Sequence, residues 1–342
     1  MSEPKFLAVR LSSLGDIVHT FPAVAGLREA FPSAQIVWVT HPRWKLLVES
    51  SGLASEVWTV ENRSFASLRE VVRRIRKTKS STAIDYQGLW KSAALSFFGN
   101  VPRRIGFSSE TIREYGVPIL YTDRVRCTKT HIAGQNGELS RRAGADRGTA
   151  GVTLAVPPSA ESTVREYLQT NGVARYVALS PGGGWRSKCW PPDRFGALCR
   201  KIRESLGIPC IINYGPGEEN LAAEVRDASD DAGPLLYNGE LGPLMALLRN
   251  AICIVGGDTG PLHLAVALET PAVALFGPTD PARNGPYRGC DISGNDPRKD
   301  VVLRSPNAVT TYKRGDQPDP SMLEIEVDAV FNAVRRQVEA RA

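Results

Sequence analysis

Short apolar runs rich in β-branched residues alternate with longer amphipathic ones along the first part of the chain: 6–11 then 17–31, 35–40 then 43–50, 57–60 then 67–77. A further run at 82–85 feeds a helical pattern at 89–98. Strands joined through helices return as parallel neighbours, so this alternation predicts βαβ units around a parallel sheet. Residues 101–147 read as irregular, polar and basic. After Pro157 and Pro158 the alternation restarts. Helices are expected at 161–171, 192–206, 218–228, 244–250 and 261–268, with strands at 176–180, 209–214, 235–237, 252–255 and 272–276. A Pro/Gly/Asp-rich loop at 277–300 precedes an amphipathic helix at 322–341. The chain therefore reads as α/β, with two Rossmann-like doubly wound domains at 1–157 and 158–320 and a helical segment at 321–342. Doubly wound sheets bind ligands beyond the carboxyl ends of their strands, so two of them are expected to face a central cleft.

A chain of 342 residues, 42% hydrophobic and 23% charged, has the length and apolar content for two cores. No apolar run approaches the roughly 20 residues that cross a bilayer, and the first run reads as a strand rather than a signal peptide; the expected compartment is the cytoplasm. The six cysteines (Cys127, Cys189, Cys199, Cys210, Cys253, Cys290) form neither a CxxC pair nor a Cys/His cluster. That spacing argues against a disulfide framework or structural zinc and for buried thiols. A net charge of +6 suits anionic partners. The basic run Arg69, Arg73, Arg74, Arg76, Lys77 and Lys79 reads first as a solvated helix face, with attraction to an anionic membrane or a phosphorylated acceptor as the alternative. Aromatic platforms and nucleic-acid motifs are lacking, so nucleic acid is not an expected partner.

Three strand-to-helix turns carry residues suited to chemistry. The first is Ser12-Ser13-Leu14-Gly15-Asp16, with His19 one turn on. Its amides suit a small anion; Asp16 is either a helix cap or a general base for an acceptor hydroxyl. The second is Ser180 to Pro191, where Gly182-Gly183-Gly184 permits close approach to a ligand and Arg186 and Lys188 supply cations, so a diphosphate is the natural occupant. Trp190-Pro191 is expected to anchor this loop to the next helix. The third is Gly256-Gly257-Asp258-Thr259-Gly260-Pro261-Leu262-His263, where amides at a helix start suit phosphate and Asp258 or Thr259 also suits a cap. Neither GxGxxG nor a Walker A lysine occurs in these turns. A single Asp-Thr-Gly inside an α/β pattern does not fit an aspartic protease. Gly277-Pro278-Thr279-Asp280-Pro281 and Gly215-Pro216-Gly217-Glu218-Glu219 fall on the same rim, where one of the two glutamates suits a ribose diol.

Together SSLGDIVHTFPAV, SPGGGWRSKCWP, GGDTGPLHLAVAL and ALFGPTDPARNGPY stand in the order and spacing of the lipopolysaccharide heptosyltransferase family, glycosyltransferase family 9. The resemblance runs over nearly the whole chain. AIDYQGLWKSAAL, TIREYGVPILYTDRV and HIAGQ resemble its heptosyltransferase I branch more than heptosyltransferase II. The resemblance implies a GT-B fold, with ADP-heptose on the C-terminal domain, a Kdo-lipid A type acceptor on the N-terminal domain, and the final helix packing back towards the N-terminal domain. It implies neither metal nor cofactor, a monomer, and peripheral contact with the cytoplasmic face of the inner membrane. The family's base falls on Asp16, its phosphate-binding lysine on Lys188 and its donor-site acid on Glu219. Its diphosphate site falls on Asp258, Thr259, Gly260 and His263, and contacts to acceptor anions fall on Arg63, Lys91 and Arg113. One departure stands out: the glycine triplet replaces a threonine pair, leaving those diphosphate contacts to backbone amides. The expected reaction is an inverting single displacement. The alternatives are heptosyltransferase II or a relative with another donor or acceptor, and a non-catalytic sugar-nucleotide binding protein.

Overall fold

A computed structural model describes residues 3–61, 64–112, 114–288, 300–311 and 313–341. The chain divides after Ala155 into two units. In the first, strands β1 (Lys5–Val9), β2 (Gln35–Thr40), β3 (Glu56–Thr59), β4 (Thr82–Asp85), β5 (Arg103–Phe107) and β6 (Asp123–Val125) form a parallel sheet in the order β3-β2-β1-β4-β5-β6. Its helices are α1 (Leu14–Val18), α2 (Phe21–Ala30), α3 (Lys45–Ser50), α4 (Phe65–Thr78), α5 (Trp90–Phe98) and α6 (Ile132–Ala143). The central strand β1 pairs with β2 and β4 and buries Phe6 to Val9, as a strand covered on both faces must. Leu7, Val9, Val37 and Val39 build the core on which α4 lays Val71 and Ile75.

Two expectations change here. The single helix expected at 17–31 is α1 and α2, because Pro22 lacks an N–H and fits only the first turn of a new helix. Residues 101–147, expected to be irregular, supply β5, β6 and α6. These outer strands hide from an apolar pattern because they carry Arg103, Arg104, Asp123 and Arg124, with Asp123 bridging Arg103 (3.3 Å) and Arg142 (2.7 Å) at the sheet margin.

The second unit repeats the plan. Its strands are β7 (Val177–Ser180), β8 (Cys210–Asn213), β9 (Leu235–Tyr237), β10 (Ile254–Gly257), β11 (Ala272–Phe276) and β12 (Asp300–Arg304), ordered β12-β11-β10-β7-β8-β9. The helices are α7 (Pro158–Thr170), α8 (Pro192–Leu206), α9 (Glu219–Asp227), α10 (Leu241–Asn250), α11 (Gly260–Ala267), α12 (Pro281–Asn284), α13 (Pro320–Leu323) and α14 (Val327–Glu339). Both sheets thus reverse their winding beside the first strand of the unit, between β1 and β4 and between β7 and β10, where doubly wound folds open a crevice. The loop expected through residue 300 ends one residue sooner, in β12. That strand opens on buried Asp300, which the Arg288 guanidinium grips at 2.6 and 2.7 Å.

The last helix is expected to pack back towards the N-terminal domain; the contacts described here are with its own unit. α14 packs on α8 and adds Val330, Phe331, Val334 and Val338 to the second core. Cys189, Cys199, Cys210 and Cys253 are buried free thiols and Cys127 is half-buried; Cys290 lies outside the described residues.

Helix α8 crosses residue 228 so closely that a Cβ on Gly196 overlaps the Ala228 backbone. Gly196→Ala is predicted to cost about 1–3 kcal/mol by overpacking, against a helix-propensity gain of no more than about 1 kcal/mol. Urea unfolding should show the lowered midpoint. An unchanged or raised midpoint contradicts the close crossing.

Candidate active site

At the first switch point, β1 runs into a buried cation. Arg10 is 5% exposed; its Nη1 donates to the Tyr86 carbonyl oxygen beyond β4, and its Nη2 lies 2.8 Å from Asp16 Oδ1. The Ser13 N–H (3.1 Å) and hydroxyl (2.9 Å) donate to Asp16 Oδ2. Ser13, not Asp16, is therefore the N-cap of α1, and Asp16 is its third helical residue. Burial by surrounding protein disfavours the charged carboxylate, but Arg10 and the two Ser13 hydrogen bonds outweigh it, and Asp16 is held below the usual carboxylate range. Its side chain nevertheless keeps 41% exposure. The site holds an ionised, accessible carboxylate fixed from behind.

Neighbouring groups stiffen this rim. Gln87 Oε1 accepts from the Leu11 (2.9 Å) and Ser12 (3.2 Å) amides. Buried Asp85 accepts from the Gln87 and Gly88 amides, the Ser92 hydroxyl (2.8 Å) and the Tyr121 hydroxyl (2.7 Å). His19 is buried, its ring edge-on to His131 at 5.2 Å, and its carbonyl accepts from Asn136 of α6. Lys91, in the first turn of α5, donates to the Glu61 carbonyl oxygen at 3.3 Å, and burial lowers its pKa. Arg63 and Arg113 lie outside the described residues.

At the second switch point a lysine bridges β7 and β10. Lys188 is 9% exposed; its Nζ donates to the Asp258 carbonyl oxygen, lies 3.7 Å from Asp258 Oδ2, and sits 4.5 Å from the centre of the Trp185 ring. Asp258 Oδ1 meets His263 Nε2 at 3.1 Å, and Asn284 of α12 donates to Oδ2 at 3.4 Å. Burial opposes charge on Asp258, yet the His263 hydrogen bond and the Lys188 charge overcome it and hold the carboxyl at about 2.

The lysine turn is held from both sides. Trp190 is buried, packs edge-on against Phe195 of α8 at 4.9 Å, and donates Nε1 to the Ile325 carbonyl oxygen at 3.0 Å. This is the anchor expected from Trp190-Pro191. The Ser187 N–H donates to Gly315 and its carbonyl accepts from Asp319. The glycine triplet departs from its reading. Gly182 lies against the Glu218 carboxylate and Gly183 against Cys189 and Lys188, so only Gly184 faces open space.

Thr259 occupies the N-cap position of α11, but its hydroxyl makes no capping bond. That hydroxyl is buried without a hydrogen-bond partner among the described residues, as are Thr279 Oγ1 beyond β11 and Asn213 Nδ2 at the end of β8. Buried polar atoms are normally paired. Orphans at the carboxyl edge of one sheet, with a lysine and the first-turn amide of Gly260, are groups suited to a polar, anionic ligand. Glu219 is the exposed first residue of α9; Glu218 instead turns inward and accepts from the Gly215 amide at 2.9 Å. Lys188, Asp258, Thr259, Gly260 and His263 are thus brought together, whereas Glu219 stands at the edge. Sequence reasoning missed Arg10, Gln87, Asn213 and Asn284. Arg10 alone left a signal, a cation closing an apolar run shortly before an acid.

Known proteins resemble this chain in sequence and in fold. The profile of glycosyltransferase family 9 (heptosyltransferase) matches residues 68–295. Lipopolysaccharide heptosyltransferase 1 of Pseudomonas aeruginosa is 28% identical over 300 residues, covering 83% of this chain and 81% of that protein. Among solved structures, the family 9 glycosyl transferase of Veillonella parvula has a TM-score of 0.84 at 22% identity, covering 99% of this chain and 98% of that one. E. coli heptosyltransferase WaaC with ADP has a TM-score of 0.73 at 23% identity, over 99% of this chain and 100% of that one. The two structures share the fold.

The depressed Asp258 carboxyl has a pH signature. Its contribution to stability is present above the unfolded value near 3.8 and is lost as pH falls through about 2. The stability gap between the wild type and Asp258→Asn should therefore narrow over that window, by on the order of 2 kcal/mol. Urea unfolding at a series of pH values measures it. A gap independent of pH would show that Asp258 is not ion-paired in the folded chain.

Proposed function

The chain belongs to glycosyltransferase family 9 (heptosyltransferase) and is a glycosyltransferase, and from that premise we propose that it moves heptose from ADP-heptose to the Kdo region of a lipopolysaccharide inner core, as a heptosyltransferase I. The observation that carries the donor half is the unpartnered Thr259 hydroxyl beside Lys188 at the start of α11. A diphosphate there accepts from Thr259, the Gly260 amide and Lys188, drawing the ammonium off Asp258. The name of the Pseudomonas relative supports the branch.

In this reading Asp16 takes the proton of an acceptor hydroxyl as its oxygen attacks the anomeric carbon. The bond from that carbon to the diphosphate breaks on the opposite face, inverting the centre and releasing ADP. Charge gathering on the leaving diphosphate is met by Lys188, the Gly260 amide and the helix dipole. His263 holds Asp258, which positions Lys188 until the donor arrives, and Glu219 or Glu218 serves the ribose. Lys91, with Arg63 and Arg113, meets anionic groups of the acceptor, which is anchored at the cytoplasmic face of the inner membrane. Only one glycine of the triplet stays open, which favours, as a second reading, a family member with another donor sugar.

The test is ADP release from ADP-heptose with heptose-free Kdo-lipid A and a no-acceptor blank. Asp16→Asn should lower turnover about 100- to 10,000-fold with donor affinity unchanged. Release that survives the substitution removes Asp16 as base; donor binding without release points to another acceptor or to a binding protein. Arg10 depresses the Asp16 carboxyl, so Arg10→Gln should raise that pKa and move the acid limb of the kcat/KM profile to higher pH. A limb that stays in place assigns it to another group.

A further inference from the structure

The segment that clamps the lysine turn also brings a second cation to it. The Ser187 hydroxyl donates to the Lys313 carbonyl oxygen at 3.4 Å and its N–H to the Gly315 carbonyl oxygen at 3.2 Å, so the backbone on either side of Arg314 is fixed against the turn. The Arg314 guanidinium carbon lies 5.4 Å from the centre of the Trp185 ring, the same ring on which Lys188 Nζ sits at 4.5 Å. Stacking on an indole holds a guanidinium in one place instead of leaving it to sweep through solvent. Arg314 is exposed, and no carboxylate among the described residues pairs with it. Its donors face outward, unspent.

Without this residue the cradle has no charge to spare. Lys188 faces Asp258 at 3.7 Å, and Asp258 is held ionised. A sugar-linked diphosphate, charged on each phosphate, therefore meets a cation whose charge is already matched and a carboxylate beside it. Gly182, Gly183 and Gly184 bring no side-chain donor, and Trp185 Nε1 is buried without a hydrogen-bond partner among the described residues. The turn lacks a cation that no acid has claimed. Arg186 and Lys313 are exposed as well, but only Arg314 shares a ring with Lys188.

We propose that Arg314 is a diphosphate-binding residue of the donor site, directing guanidinium N–H groups from the Trp185 ring to the phosphate oxygens that Lys188 cannot neutralise alone. Two cations held on one indole suit a ligand with two linked phosphates, so Arg314 selects a nucleoside diphosphate over a monophosphate. The inference rests on the ADP-heptose reading of this crevice.

Calorimetric titration of the full chain with ADP and with AMP tests it. Wild type should bind ADP more tightly than AMP. Arg314→Gln should weaken ADP by about tenfold or more, as loss of a charge-assisted hydrogen bond does, and AMP by clearly less, so that the two affinities converge. Arg314→Lys keeps the charge without the planar fork and should recover only part of the loss. Lys313→Gln makes the same change of charge one residue away and should leave both affinities as they are. Thermal unfolding checks that each variant is folded. Unaltered ADP binding by Arg314→Gln, an equal loss for ADP and AMP, or a loss as large in Lys313→Gln overturns the proposal. Failure of the wild type to bind ADP removes the ADP-heptose reading and Arg314 with it. Binding of ADP that depends on Arg314 but is followed by no heptosyl transfer removes the heptosyltransferase I reading and leaves the role of Arg314 standing.

Discussion

A charge buried at the carboxyl edge of a parallel sheet must find its opposite, and this requirement organises both halves of the chain. Arg10 ties β1 to Tyr86 beyond β4 while it pairs with Asp16; Lys188 ties the loop after β7 to Asp258 after β10. Each cation spans the place where strand order reverses. An uncompensated charge there costs about 3–5 kcal/mol, enough to decide where a loop rests. The same pairing keeps both carboxylates ionised, Asp16 with an open side and Asp258 enclosed. One arrangement, used twice, thus yields an accessible carboxylate in one unit and an enclosed one beside a lysine in the other.

Central strands were legible because burial on both faces forces unbroken apolar runs such as Phe6 to Val9 and Ala272 to Phe276. Strands β5, β6 and β12 were not, since each carries charged residues that an apolar pattern reads as loop. Glycine and Asp-Thr-Gly turns could be read locally, because their conformational needs lie within a few residues. Partners brought in by the fold could not: Asn284 reaches Asp258 from α12, and Gln87 accepts amides from Leu11 and Ser12 at the far end of another strand. The glycine triplet shows the limit of composition. Two of its members are small to accommodate Glu218 and Cys189.

Surface charge posed a related problem. The arginines of α4 are plain in the sequence, but the rings that share their groove belong to the end of α5, and helical periodicity says nothing about that adjacency. The packing of α4 against α5 is what sets Phe97 and Phe98 beside Arg76 and Arg104.

The clamp on the lysine turn reaches beyond the site itself. Ser187 is gripped by Gly315 and Asp319, and Trp190 by Ile325, all from the far end of the sequence. During synthesis Lys188 leaves the ribosome long before these partners exist, and β10, which bears Asp258, also follows it. A nascent chain therefore displays the lysine loop without its clamps, and the turn takes its folded shape only once residues 315–325 have followed.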